Sequence, residues 1–220
     1  LTGRLRLSPQ WAIRAGVGIF SQPPEYTETA PGLGTPGLGV IHAVHTGLGV
    51  DFRVPEFHLV FQVDGFYKHI QDRVVAAQSG QSPRFVNEGL GRIYGLEVAA
   101  RIEPGGPLPL FGFLSYTLMR SERQDHPGDE WRLFDFDQTH IFTLALVWEI
   151  GAGFELGATF RLVSGNPYTP VVGAVNDLSA GVYRPIYGST NSARNPLFNR
   201  LDVRLQKRFD IGDVDLYLYV

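Results

Sequence analysis

Asp135, Asp137 and His140 are the residues of this sequence best suited to covalent chemistry. Two carboxylates close to an imidazole can hold a water and accept its proton, the basic equipment of a hydrolase. The plainer reading is that the three cap the strand beginning at Ile141 and hydrogen-bond neighbouring loops. Other chemistries are poorly supplied. The six histidines, His42, His45, His58, His69, His126 and His140, show no metal-ligand spacing, and His42 and His45 read as a solvated loop pair. Cysteine is absent, which removes thiol catalysis and thiolate metal sites without excluding an oxidising compartment. GLGTPGLG, residues 32–39, matches no phosphate-cradling pattern and precedes no helix, so it reads as a flexible external loop. No metal and no cofactor is expected.

Two further groups of residues have the right types for binding rather than reaction. Tyr168, in the stretch SGNPYTP, and Trp131, in a charged loop, are aromatic residues placed to touch a ligand near an entrance. Strand-exit chemistry alone also accounts for Gly165, Pro167 and Tyr168. Arg14, Arg101, Arg161 and Arg204 stand opposite the apolar faces of their segments. They are placed to meet the carboxylates of another domain, or simply water.

The elements that position these groups are strands. From Phe154 to Leu162 the apolar residues Phe154, Leu156, Ala158, Phe160 and Leu162 alternate with Glu155, Gly157, Thr159 and Arg161. A period of two is the signature of a strand with one apolar and one polar face. The preceding stretch, Ile141 to Trp148, places Phe142, Leu144, Leu146 and Trp148 on one face, and only Gly151-Ala152-Gly153 separates the two as a tight hairpin. The same alternation recurs along the chain and predicts ten strands. Among them are Leu1–Leu7, Trp11–Ile19, Val44–Val54, Phe57–Asp64, Tyr94–Arg101, Phe111–Met119 and Leu201–Arg208, with the last reaching Val220.

Connections alternate strictly between short and long. Ser8-Pro9-Gln10, Pro55-Glu56, EPGGPLP, Gly151-Ala152-Gly153 and Ile211-Gly212 are short; residues 21–42, 70–87, 121–137 and 165–196 are long. Transmembrane barrels keep short turns on one side and long loops on the other. Sandwiches and propellers have no reason for that rhythm. The apolar faces are large and aromatic, and no second element is available to cover them, whereas lipid can. No apolar run approaches the roughly 18 residues of a membrane helix, which a β-barrel does not need. A formal charge of −3 gives no basis for nucleic-acid binding. Leu1 to Leu7 already reads as strand, so no signal peptide is expected at the start, and the stretch reads as mature or as part of something larger.

Five segments, LSPQWAIRAGVGIFSQPP, NEGLGRIYGLEVAARI, FDQTHIFTLALVW, FRLVSGNPYTP and RNPLFNRLDVRLQKRF, resemble in order the later barrel of TonB-dependent outer-membrane receptors. The resemblance implies an all-β fold: a transmembrane antiparallel β-barrel of 22 strands, of which residues 1–220 supply about ten, without the plug and the final strands. It also implies a Gram-negative outer membrane, an internal plug domain, the TonB energy-coupling complex, and import of a scarce siderophore, cobalamin or oligosaccharide. The expected role is therefore binding and gated passage, with no enzymatic step. Two rivals stand beside it. One is a ten-stranded outer-membrane surface hydrolase using Asp135, Asp137 and His140, and the other is a passive porin or adhesin barrel.

Overall fold

The computed structural model describes residues 1–78 and 84–220. Its body is one sheet of ten strands: β1 (Thr2–Arg6), β2 (Trp11–Gln22), β3 (Ile41–Val54), β4 (Leu59–Ala76), β5 (Phe85–Ile102), β6 (Leu110–Gln124), β8 (His140–Gly151), β9 (Phe154–Val163), β14 (Phe198–Ile211) and β15 (Val214–Tyr219). They lie side by side in chain order, each antiparallel to the next, and the sheet is open at β1 and β15. Short ladders decorate the long connections. β7 (Arg132–Leu133) pairs with the end of β6, β10 (Pro167–Tyr168) with β13 (Ala193–Arg194), and β11 (Val171–Asp177) with β12 (Val182–Tyr187).

Strand registry turns the alternation of each segment into two continuous faces. One row crosses the sheet through Trp11, Phe52, Phe61, Ala100, Leu114, Leu144, Phe160 and Leu201. Its neighbour on the opposite face runs Arg6, Ala12, Asp51, Gln62, Ala99, Ser115, Thr143, Arg161 and Arg200. A single-residue slip of any strand would put its apolar set on the polar side, so the pattern fixes the register. No second layer covers the apolar side. Leu48 and Leu201 are 61% and 63% exposed, and among the described residues only Ala12, Ala30, Val75, Val163 and Pro167 are buried apolar side chains. Transfer of such a leucine into hydrocarbon is favourable by about 1.5–3 kcal/mol, so a lipid-facing wall obtains from its solvent the stabilisation a globule obtains from its core.

Aromatic residues gather at the short-turn end of that face. The Trp11 and Phe52 rings are 4.5 Å apart, Phe61 follows at 6.3 Å from Phe52, and Trp148 and Phe154 flank the β8–β9 turn. That turn is built by Ala152 (φ 50°) and Gly153 (φ 78°), two consecutive left-handed residues, the geometry whose twist matches antiparallel strands. A side chain at Gly153 would also strike the carbonyl of Arg208, 2.6 Å from a Cβ.

The strands extend further than alternation indicates. β3 begins at Ile41 rather than Val44, β4 runs on to Ala76, β5 starts at Phe85 and β6 reaches Gln124. Beyond the apolar band both faces meet water, so the period-two signal fades while the backbone ladder continues. At the short-turn end, Pro55–Phe57 forms a 3-10 turn closed by left-handed His58, so the fourth strand starts at Leu59 and not at Phe57. The expected long loop over 70–87 accordingly shrinks, and part of it lies outside the described residues. The GLGTPGLG loop is tied down: Arg84 donates to the Leu33 carbonyl, Phe85 N–H to Thr35 Oγ1, and Gly39 N–H to Asn87 Oδ1, each at 2.8 Å.

Candidate functional site

The polar face carries a chain of ion pairs across its first four strands. Asp51 on β3 accepts from Arg4 Nη2 and Arg14 Nε, both at 2.8 Å, and from Gln62 Nε2 at 3.1 Å. Arg14 then extends Nη2 to Asp64 on β4, at 2.7 Å. Arg14 and Asp64 are not on adjacent strands; Gly49 of β3 stands between them in register. With Gly16, Gly47 and Gly49, Arg4, Arg14 and Asp64 line an open hollow of about 550 Å³, because glycines leave the polar face recessed. Asp51 was visible in the sequence only as one of several polar-face charges; its central place follows from register.

The other arginines of the polar face are spread along the sheet. Arg101 pairs with Glu103 at 2.9 Å near the short-turn end. Arg204 donates to Gln206 at 2.7 Å and lies 4.1 Å over the ring of Tyr219. Arg161 lines a polar notch of about 350 Å³ with Gln138, Ser164, Asn166 and Asn195 at the long-loop end. The structure therefore places all four on one face without bringing them together.

Asp135, Asp137 and His140 do not converge on a common point. Asp137 is fully buried. Its carboxylate accepts from Ser121 N–H at 2.6 Å, Thr139 Oγ1 at 3.0 Å and Arg194 Nη2 at 2.5 Å. Arg194 also donates to the carbonyls of Asp137 and Gly165, both at 3.1 Å. This clamp staples the β9–β14 connection to the top of β6 and uses the lone pairs a catalytic base would need. Asp135 is held by Arg132 at 3.3 Å and by Asn191 at 2.5 Å. His140 faces the other way, in the outward row with Leu118, and its Nδ1 is 2.8 Å from the Tyr116 hydroxyl.

At the long-loop rim a second cluster surrounds Arg123. The row Tyr67, Tyr94 and Arg120 marks the edge of the apolar band, and Arg123 stands three residues beyond it. Arg123 is 6% exposed; its Nη1 donates to Ser121 Oγ at 3.2 Å and to the Glu122 carbonyl at 2.9 Å, and its guanidinium lies 4.1 Å over Phe134. Burial, together with the nearby charges of Arg73 and Arg132, brings its pKa down to about 10, so it stays charged at neutral pH. Asp125 accepts from Arg132 Nε at 2.8 Å and Nη2 at 3.2 Å. Burial alone would push the Asp125 carboxyl up, but the Arg132 hydrogen bonds and charge, with Arg73 and His126, hold it below the usual carboxylate range.

Trp131 sits on the outward side of this rim, its ring 4.2 Å beneath the Arg92 guanidinium. Arg92 in turn pairs with the buried Glu122 at 2.5 Å. Tyr168 lies on the β10–β13 ladder opposite Ala193 and is half exposed. His42 and His45 are strand residues on opposite faces of β3, not a loop pair: His42 meets Ser21 Oγ at 3.0 Å, while the His45 ring lies tilted against Phe20, centroids 4.3 Å apart. Among the described residues no group of histidines and carboxylates could hold a metal ion. Sequence reasoning put Arg123 in a loop. Continuing the inward sequence Ser115, Thr117, Met119, Ser121 by two residues reaches it.

Comparison with known proteins agrees with this geometry. The family model for the TonB-dependent receptor-like β-barrel matches residues 1–220. No curated protein matches. Among solved structures, the sheet is similar to the ferric-catecholate import receptor Fiu of E. coli K12, with a TM-score of 0.71, 14% identity, and coverage of 99% of this chain and 29% of that one. The ferric citrate transporter FecA gives 0.72, 17%, 99% and 31%. The ferric yersiniabactin uptake receptor FyuA of Yersinia pestis gives 0.64, 14%, 100% and 34%. The chain thus spans about a third of the length of the receptors it resembles. Its residues 1–220 belong to the TonB-dependent receptor β-barrel family.

Proposed function

We propose that residues 1–220 form part of the wall of an outer-membrane import receptor in a Gram-negative bacterium. In this reading the wall surrounds a plug domain that the TonB complex pulls on from inside. The family match over the whole chain carries the proposal, and the recessed, charged inner face supports it: a glycine-lined hollow beside Arg14 and Asp64 leaves room for a second domain. Arg14, Arg101, Arg161 and Arg204 would then face plug or lumen water. The stapled connections at the long-loop end would form the capture surface, with Tyr168 exposed to an arriving ligand and Trp131 stiffening the outward rim. The cargo is a scarce nutrient of the siderophore, cobalamin or oligosaccharide type.

The test is uptake. Cells expressing the full-length receptor, with and without TonB, are offered a panel of radiolabelled ferric siderophores, cobalamin and maltooligosaccharides. TonB-dependent accumulation of one class is expected. Equal accumulation in both strains would favour a passive pore, and ion conductance by the purified barrel in a planar bilayer would identify one directly.

A further inference from the structure

Arg123 is an incomplete ion pair. Among the described residues, Arg73, Arg123 and Arg132 face two carboxylates, Asp125 and Asp135. Asp125 is engaged by Arg132, with Arg73 at 3.7 Å, and Asp135 by Arg132 and Asn191. Arg123 has no carboxylate within ion-pair distance among the described residues, and Ser79 to Pro83, which lie outside them, contain none in their sequence. The guanidinium is spent on one side only. Nη1 makes both its hydrogen bonds, whereas Nε is buried with no partner and Nη2 makes none among the described residues. Nε and Nη2 form the side-on edge of the guanidinium, two parallel N–H donors whose spacing matches the two oxygens of a carboxylate. An isolated buried cation is expensive, and a native site normally supplies its counter-ion.

We propose that Arg123 is a carboxylate-binding residue at the external mouth, receiving one carboxylate on its Nε/Nη2 edge. Phe134 fixes the guanidinium plane, and the neighbouring Arg73 charge adds attraction for an anion. The carboxylate comes either from an arriving ligand or from a part of the full receptor outside these residues. The inference stands on the rim geometry and not on the import reading, so uptake and this site succeed or fail separately.

The experiment uses the purified full-length receptor, citrate as probe, constant ionic strength, and both tryptophan fluorescence and thermal unfolding as readouts. Folding of each variant is checked by the heat-dependent mobility shift of the barrel on a gel. If the mouth is open, citrate binds the wild type and binds Arg123→Gln at least about tenfold more weakly, the loss expected on removing a bidentate charged contact. If the receptor supplies its own carboxylate, citrate leaves the wild type unchanged, and the loss of thermal stability in Arg123→Gln is larger at neutral pH than below about pH 4, where that carboxylate is protonated. A loss that does not vary with pH reflects only the Ser121, Glu122 and Phe134 contacts and would overturn the proposal. Arg123→Lys, which keeps the charge and loses the fork, is read in the same way should Arg123→Gln fail to fold. Citrate binding equally to wild type and variant would overturn the proposal. So would indifference to citrate in both, with the variant as stable as the wild type.

Discussion

Arg14 reaches Asp64 across an intervening strand, and the space above Gly49 makes that possible. The Arg14 Nη2 to Asp64 Oδ2 distance is 2.7 Å, and a Cβ at Gly49 would stand 2.0 Å from Asp64 Oδ1. Gly49→Ala is therefore expected to swing the Asp64 carboxylate away and break the pair. The pair is partly exposed, so the loss is about 0.5–1 kcal/mol. Gly95→Ala should cost more, about 1–3 kcal/mol, because its Cβ would meet the Leu118 carbonyl at 2.4 Å and the strands themselves must part. Midpoints of heat-dependent unfolding followed by gel mobility would rank the two; the reverse order would contradict the geometry.

The Asp137–Arg194 clamp belongs to the connection and not to the wall. Asp137→Ala leaves Arg194, itself partly exposed, without its partner and should weaken the anchoring by about 1.5–3 kcal/mol, the loss of a charged hydrogen-bonded contact. Limited proteolysis is expected to cut within 165–197 while the wall strands stay protected. Adding Arg194→Ala to Asp137→Ala should cost little more, since the two act as one unit. A surface hydrolase would instead lose activity in Asp137→Ala with its loops intact.

Acid should loosen the rim. The folded Asp125 carboxyl titrates below its unfolded value, so its stabilisation is fully present above about pH 4, the unfolded value. It is lost as pH falls through the lower folded value. Trp131 fluorescence and proteolytic cutting near residues 125–135 are expected to change only below that window in the wild type. In Asp125→Asn the loosened state should already exist at neutral pH, and an unchanged acid response in that variant would remove Asp125 from the explanation.

The two faces of β8 make opposite predictions for the same residue. Leu144→Arg puts a cation in the middle of the outward apolar band and should cost about 2–4 kcal/mol, visible as poor assembly into membranes. Ala145→Arg points to the polar side, near Asp202 through the Thr159 row, and should assemble normally. Equal assembly of both variants would mean that the faces are assigned wrongly.

The ten wall strands were legible in the sequence because lipid on one side and water on the other impose a period of two. Phe154 to Leu162 shows it most cleanly. Where water bathes both faces the signal is lost, which is why β4 reads as ending near Asp64 when its ladder reaches Ala76. The family likeness was legible too, through five segments spread over the chain. Chemistry at the rim was harder to see. Asp135, Asp137 and His140 are adjacent in sequence, but strand alternation turns His140 outward while Asp137 is drawn inward to Arg194, 57 residues on. Long-range partners of that kind have no local trace. Arg123 was hidden for a simpler reason, lying just past the point where alternation fades.

The β11–β12 hairpin hydrogen-bonds to itself as a separate two-stranded sheet, and its base is held by the Asp137–Arg194 staple. Everything from Val171 to Tyr187 can consequently be lengthened, shortened or rewritten without a change of partner for any wall strand. In the import-receptor reading proposed above, selection on what is captured would thereby be uncoupled from selection on the wall. For the experimenter, the tip between Asp177 and Val182 is a site where an epitope or a protease recognition sequence should be tolerated, and labelling of that epitope on intact cells would test whether the tip faces outward.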